Sequence, residues 1–402
     1  MTGRRVVYVE ATGRGGGSNA SLRCLLPGLD RERYAPVVVL GDTGSRSAWE
    51  GEVYELPSAT LDNFDFFPAG WNPRWLYQFI RFLVRFPLDT WRAVRLIRRL
   101  RPSIVHLNVG QVVSFGCAAR LLRLPVVWHI RELVAGNLLG SAQARVYAAC
   151  AGKVIATSRV VASRIPACAA KLSVVTNCVS VPRVSESGVT ALREAAGIRD
   201  GDFVVLLLGS ELSAAKGYMF LAGVADRLPP DTRIVFLLAG RTLPPPAGSV
   251  HRLLRGIPLG HFSRGAERRL IMERWRSHVE SGRAHFTGFI DASTAVAASS
   301  ILVCPNQVAE PFGRSFLEGG IQRKPVVAMD MPAFNELIEH ERTGWLLPPD
   351  AGAWAATIAA LAADHTAVDR AGMAAEQKAR ACSPENHART LMAFYDEMLR
   401  CE

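Results

Sequence analysis

The densest run of usable chemistry in the chain is Cys304-Pro305-Asn306-Gln307-Val308-Ala309-Glu310-Pro311-Phe312-Gly313-Arg314-Ser315-Phe316-Leu317-Glu318-Gly319. The apolar residues ending at Cys304 predict a strand, the Pro-rich stretch a loop, and the residues from about Phe312 to Arg314 the start of a helix. Glu310 then precedes a helix N-terminus and Glu318 lies on an inner turn. The amides of Gly313, Arg314 and Ser315 suit a phosphate, and the two carboxylates suit hydroxyl groups on either side of it. Such a clamp fits a sugar nucleotide. Two glutamates eight residues apart mean little alone, and the loop around them gives the pairing its meaning.

A second site lies at Gly209-Ser210-Glu211-Leu212-Ser213-Ala214-Ala215-Lys216-Gly217, after the apolar run Phe203 to Leu208. Only five lysines accompany 42 arginines. Lys216, between a Gly loop and a helix, is placed to neutralise a diphosphate; the bland alternative is a solvated lysine at a helix start. Further upstream, Val126-Val127-Trp128-His129-Ile130-Arg131-Glu132 puts His129 and Glu132 at the carboxyl edge of an inner strand, where side chains are expected to project into a cleft. A lone His there is more often a core residue; the adjoining Arg131-Glu132 pair favours function. The cluster Gly13-Arg14-Gly15-Gly16-Gly17-Ser18-Asn19 follows the first strand. It can face a phosphate or simply make the turn. Ser18 stands where a dinucleotide fingerprint needs Gly, so a nicotinamide enzyme fits poorly.

These sites need elements to hold them. Strands are expected at Arg5–Glu10, Pro36–Leu40, Ile104–Leu107, Val126–Ile130, Lys153–Thr157 and Ser173–Thr176. A second series follows at Phe203–Leu208, Arg233–Leu238, His285–Gly288, Ile301–Cys304, Pro325–Ala328 and Trp345–Leu347, with amphipathic segments between. Short Val- and Ile-rich runs alternating with helices indicate parallel sheets covered on both faces. With 402 residues and 49% apolar composition, two domains are expected. The boundaries are 1–183 for the first domain, 184–202 for a linker, 203–384 for the second domain, and 385–402 for a final helix crossing back to the first. The Pro-rich loop Leu243–Ala247 and a helix over Gly265–Ser281 elaborate the second domain.

The formal net charge is +11, and it is uneven: residues 1–200 carry 26 Lys/Arg against 14 Asp/Glu, residues 201–402 carry 21 against 22. Much of the excess lies in Arg74 to Arg101, with eight Arg and one acid, Asp89. At helical spacing Arg74, Arg81, Arg85, Arg92, Arg95 and Arg99 share one arc, and Phe79, Leu83, Phe86, Val94 and Ile97 gather opposite. Pro87 is expected to divide the segment into two helices. A basic amphipathic element of this kind fits an anionic membrane surface; the alternative is a packed helix pair with solvated arginines. Nucleic acid is not expected, because no recognition motif accompanies the charge. The eight cysteines are scattered without metal-ligand spacing and read as reduced thiols. No run is apolar and long enough for a membrane span or signal peptide, so a cytoplasmic protein is expected.

At these residues the chain resembles retaining glycosyltransferases of family 4. Besides the loops above, the resemblance rests on Ile104-Val105-His106, Ala156-Thr157-Ser158, Phe286-Thr287-Gly288-Phe289, Pro325-Val326-Val327-Ala328, Glu336 and Gly344-Trp345-Leu346-Leu347. It implies the GT-B fold, α/β with two doubly wound Rossmann-like domains facing a central cleft. It further implies a nucleoside-diphosphate-sugar donor on the second domain and an acceptor on the first. Glu318 would hold ribose hydroxyls, Glu310 the sugar hydroxyls, Lys216 and the amides of Gly313 to Ser315 the diphosphate, and His129 the donor sugar, making His129 and Glu310 the catalytic residues. Gly16, Gly17, Ser210, Gly288, Phe312 and Arg314 complete the donor side, and Arg74, Arg81, Arg85, Arg92, Arg131 and Glu132 the acceptor and membrane side. Neither metal nor cofactor is implied. The expected function is transfer to a saccharide or lipid-linked saccharide in polysaccharide or glycolipid assembly, on the inner face of the cell membrane. Ser210 and Glu211 stand where the family usually carries an Arg. That leaves a catalytically weak sugar-nucleotide-binding protein as one alternative and a GT-B epimerase as another.

Overall fold

The computed structural model describes residues 3–11, 16–41, 49, 52–55, 73–241 and 264–400, with side chains for all of these except 52–55, 73–75, 77, 78 and 264. Gly13, Gly15 and the loop Leu243–Ala247 lie outside the described residues. The chain forms two compact units, Met1–Ser180 with Cys382–Glu402, and Val181–Ala381.

The first unit is built on a parallel sheet of β1 (Arg4–Glu10), β2 (Tyr34–Leu40), β3 (Glu52–Glu55), β4 (Ile104–Leu107), β5 (Val126–Ile130), β6 (Lys153–Ala156) and β7 (Leu172–Val174), in the order β3-β2-β1-β4-β5-β6-β7. Alternate residues of each strand point to opposite faces. Val7, Val9, Val105, Leu107 and Trp128 enter one core, and Val6, Tyr8, Ile104, Val127 and Ile155 the other. Both faces are covered, as a parallel sheet requires. The first core is closed by residues of the helices Pro73–Leu100, Val113–Leu121 and Leu138–Cys150, the second by Gly17–Leu25 and the C-terminal helix Pro384–Arg400.

That last helix is bound into the sheet by Ala388, Leu391 and Tyr395, all 0% exposed, by the Tyr34 hydroxyl donating to Asp396 Oδ1 at 2.6 Å, and by Arg33 pairing with Asp396 at 2.7 Å.

The second unit is a six-stranded parallel sheet of β8 (Phe203–Glu211), β9 (Ile234–Arg241), β10 (Ala284–Gly288), β11 (Ile301–Cys304), β12 (Val326–Met329) and β13 (Gly344–Leu347), in the order β10-β9-β8-β11-β12-β13. In each sheet the chain first winds one way and then returns to wind the other. The switch points are β1/β4 and β8/β11, and ligands of such sheets bind beyond the carboxyl ends of the strands there.

Several expectations are corrected. The stretch 184–202 is not a bare linker: it carries the helix Glu186–Ala195, whose first turn is capped by Ser185 Oγ accepting from the Gly188 amide at 3.1 Å. Pro87 does not divide its segment. One helix runs from Pro73 to Leu100 with Pro87 inside. Proline removes the bond to the carbonyl four residues back and crowds that carbonyl, but Phe82, Phe86, Ala93 and Ile97 pack into the core on both sides of it and hold the helix together. The Arg-rich segment after residue 263 is two helices, Arg264–Arg274 and Arg276–Glu280. Strand β3 has no counterpart among the expected strands; its Glu52-Val53-Tyr54-Glu55 is too short and polar to show a run.

Candidate functional site

In the second unit the loops after β8 and β11 meet at the switch point. β8 extends to Glu211 through an irregularity after Leu208, and a single turn, Ala214–Lys216, follows. Ser213 Oγ accepts from the Ala215 amide at 3.2 Å, and the Ala215 carbonyl accepts from the Gln307 amide at 2.9 Å, tying this loop to the one after β11. Gly217 closes the turn at φ +86°, with its Cα against the Pro305 carbonyl. No side chain fits there. These constraints bring Lys216 Nζ to 2.9 Å from Glu310 Oε2, which also accepts from Asn306 Nδ2 at 2.7 Å. Both partners therefore come from the two loops that flank the switch point.

Beyond Glu310 the chain passes through Gly313, at φ +87° with Phe334 packed on its Cα, into the helix Arg314–Gly320. The helix N-cap has no side-chain acceptor. Glu318 Oε1 accepts from Arg314 Nε at 2.7 Å, one turn apart. Ser315 hydrogen-bonds to Cys304, whose thiol burial pushes up to about 12. Phe312 is only 4% exposed, so its ring is packed inside the second unit. Ser210 is exposed on β8, and Gly288 ends β10 at φ +70° with open space around it. Glu211 is in register with Arg241 across β8 and β9, and the Arg241 guanidinium lies 4.2 Å over the ring of exposed Phe289.

The carboxyl edge of the first unit is a buried polar cluster. His129 is 0% exposed, which corrects the expectation that it projects freely from its strand end. The pleat of β5 sends Val127 and His129 to the face covered by the C-terminal helix, where His129 stacks on His387 at 5.8 Å and lies 5.8 Å from His106. Arg131 Nη2 lies 3.2 Å from His129 Nδ1. A guanidinium only donates, so Nδ1 accepts and the proton sits on Nε2, which has no partner. Burial, helped by the Arg131 charge, holds His129 and His106 well below the ordinary histidine range, and His387 falls to about 4 for the same reasons.

Arg131 and Glu132 brace the loops at this edge. Arg131 Nε donates to Asn108 Oδ1 at 3.0 Å and its Nη1 donates to Asn177 Oδ1. Glu132 accepts from the Gly110 amide at 2.6 Å and the Arg131 amide at 3.1 Å, joining the loops after β4 and β5. Burial nevertheless pushes its carboxyl up to about 7. Gly16 and Gly17 are exposed at the start of the helix after β1, Gly16 at φ +154°. Ser18 Oγ donates to Glu10 at 3.2 Å, and Glu10 also accepts from Asn108 Nδ2. Among the described residues no group of three His, Cys, Asp or Glu could hold a metal ion.

The sequence model for Glycosyl transferases group 1 matches residues 202–364, and that for the Glycosyl transferase 4-like domain matches residues 16–178. This chain belongs to the family 4-type glycosyltransferases. No curated protein sequence matches it. Among solved structures it is similar to Anabaena HepE in complex with UDP and glucose, at TM-score 0.76 and 19% identity over 98% of this chain and 100% of that one. It is also similar to a Rickettsia africae glycosyltransferase, TM-score 0.73 and 15% identity over the whole of both chains. A sucrose-phosphate synthase from Thermosynechococcus elongatus gives TM-score 0.73 and 18% identity over 99% of this chain and 100% of that one. The fold of this glycosyltransferase is therefore GT-B.

In the glycosyltransferase the helix Pro73–Leu100 differs from a simple arginine face. Phe79, Phe86 and Val94 pack on the core, as their spacing suggests, and Phe82 joins them. Leu83 does not: Leu76, Ile80, Leu83, Val84, Leu88 and Trp91 form an exposed apolar stripe, with Val84 at 73%. Arg81, Arg85 and Arg92 are half-buried beside it, and Arg95, Arg98 and Arg99 are exposed. Arg92 reaches the only acid of the segment, Asp89, at 3.4 Å, and Arg95 lies 4.8 Å over Trp91. The side chain of Arg74 lies outside the described residues. No described helix is long and apolar enough to cross a membrane.

Proposed function

We propose that this glycosyltransferase moves a sugar from a nucleoside diphosphate to a saccharide or lipid-linked saccharide, retaining the anomeric configuration, in polysaccharide or glycolipid assembly. The observation that carries this is the cluster of Lys216, Glu310 and Asn306 where the loops after β8 and β11 meet. Glu310 Oε2 is held by two donors, which fixes the carboxylate and leaves Oε1 for a sugar hydroxyl. Lys216 stands beside it for the leaving diphosphate, with the amides of Gly313 to Ser315, and Glu318 takes the ribose.

In the proposed step the bond from the anomeric carbon to the diphosphate breaks while the acceptor oxygen bonds on the same face, and the acceptor proton passes to the departing diphosphate oxygen. The protein positions the partners and stabilises the charge on that oxygen. No metal or cofactor enters this scheme. HepE binds UDP-glucose, so UDP-glucose is the first donor to test, followed by GDP- and ADP-sugars in a thermal-shift screen. A donor at a hundred times its dissociation constant stabilises by about 2.7 kcal/mol. Product anomeric configuration by NMR tests retention; an inverted product overturns the scheme.

A protein that binds the donor without transfer is favoured by one feature, Ser210 and Glu211 in the positions of the usual Arg. Slow donor hydrolysis separates the two readings, since a mere binder releases no nucleoside diphosphate. The acceptor side is proposed to rest on an anionic membrane on the cytoplasmic face, through the exposed stripe and flanking arginines of Pro73–Leu100. Flotation with anionic and neutral liposomes tests this: absence of a salt-sensitive preference for the anionic ones removes it.

A further inference from the structure

The first unit carries a cavity at the amino-terminal ends of its strands. It has a volume of about 410 Å³ and is lined at the amino ends of β5 and β6 by Arg120, Arg123, Lys153, Lys171, Cys150 and a single acid, Glu397. The volume is that of a small-molecule site. Four cations against one carboxylate select for an anion.

Cys150, the last residue of its helix, has its Sγ 4.0 Å from Sγ of Cys117 on the neighbouring helix. Lys171 Nζ sits at the same helix end, donating to the carbonyls of Ala148 and Ala151 at 2.8 and 2.9 Å. The contact with Cys117 and the charges of Arg120 and Lys171 hold the Cys150 thiol below its ordinary range, while that same contact and burial push Cys117 up. Cys150 lines the cavity and Cys117 does not, so Cys150 is the sulfur placed to attack and Cys117 the one to follow.

We propose that this cavity is a thiol–disulfide exchange site, which takes a small carboxylate-bearing disulfide of the class of oxidised glutathione and passes its oxidation to a Cys117–Cys150 bridge. The Cys150 thiolate attacks one sulfur of the small disulfide, forming a mixed disulfide and releasing one thiolate. Cys117, losing its proton to that thiolate, then displaces the second. Two protein thiols are oxidised and one disulfide is reduced to two thiols. The two protein sulfurs must approach from 4.0 Å to bonding distance, about 2.05 Å. This inference is independent of the donor site.

The test incubates the full chain with glutathione disulfide and counts its eight thiols by alkylation and mass spectrometry. The expected result is loss of two, mapped to Cys117 and Cys150, and a stable glutathionyl adduct on Cys150 in a Cys117→Ser chain. An Arg120→Gln/Arg123→Gln chain should react at least about tenfold more slowly with the anionic reagent dithiobis(nitrobenzoate) and unchanged with uncharged dithiodipyridine. Retention of all eight thiols, or an adduct elsewhere, overturns the exchange. Equal slowing with both reagents overturns the role of the cations.

Discussion

Replacing Lys216 by Ala separates the pairing seen in the structure from the chemistry proposed for it. The Lys216 and Glu310 side chains are 2.9 Å apart but 40% and 18% exposed, so solvent screens the pair. Its contribution to stability is expected to be at most about 1 kcal/mol. For a unit of this size that is a fall in Tm of about 2–4 °C. Glu310 keeps its bond from Asn306, so the loop should hold. In the transition state the same ammonium faces charge developing on the leaving diphosphate, where loss of one placed donor lowers rates by about 10²–10³, roughly 2.7–4 kcal/mol. The assay is nucleoside diphosphate release from the donor found by thermal shift, with kcat and KM measured separately on chains that melt alike. The loss should fall mainly on kcat, and Lys216→Arg should recover part of it. A kcat/KM within about threefold of the parent, under 1 kcal/mol of barrier, refutes the placement of the diphosphate against Lys216.

Three further outcomes follow from the same geometry. Gly217→Ala forces a Cβ onto the Pro305 carbonyl at φ +86°, and should destabilise the second unit by at least about 2 kcal/mol while displacing Lys216, read by Tm and activity together. Acid should loosen the first unit. His106, His129 and His387 have folded pKa values below the unfolded one, so each withdraws up to about 1.4 kcal/mol per pH unit as pH falls from about 6.5. Glu132, raised to about 7, opposes them with one such contribution between about 4.5 and 7. The net loss of Tm on acidification should be visible, and shallower in a His387→Asn chain; a flat profile refutes the neutral cluster. Reversing Arg81, Arg85 and Arg92 to Glu should lower binding to anionic vesicles by about 1 kcal/mol or more per residue, and Val84→Asp should weaken it too, both measured by flotation.

The strands were largely legible because parallel strands buried on both faces appear as short apolar runs: Ile104–Leu107, Val126–Ile130 and Ile301–Cys304 have the expected bounds. The positions of Lys216 and Glu310 are legible for a related reason, since each lies on the loop just past the strand that carries it, while Glu318 sits further on, within the helix Arg314–Gly320. Cys117 and Cys150, 33 residues apart with no ligand-like spacing, gave no local signal of their approach.

Apolar runs and turn residues alone locate every strand but β3, show two doubly wound units, and mark which loops carry carboxylates, glycines and cations. Which of those groups meet depends on long-range packing. Reversal of winding at β8/β11 sets Lys216 against Glu310 across 94 residues. Return of the C-terminal helix to the first sheet turns His129 from an expected strand-end projection into a buried, neutral ring stacked on His387. Packing on the neighbouring helix likewise decides that Phe82 and Phe86 go inward while Leu83 and Val84 stay in water. Periodicity gives each residue a face, but what covers that face comes from distant chain, and burial, charge state and partner follow from the cover.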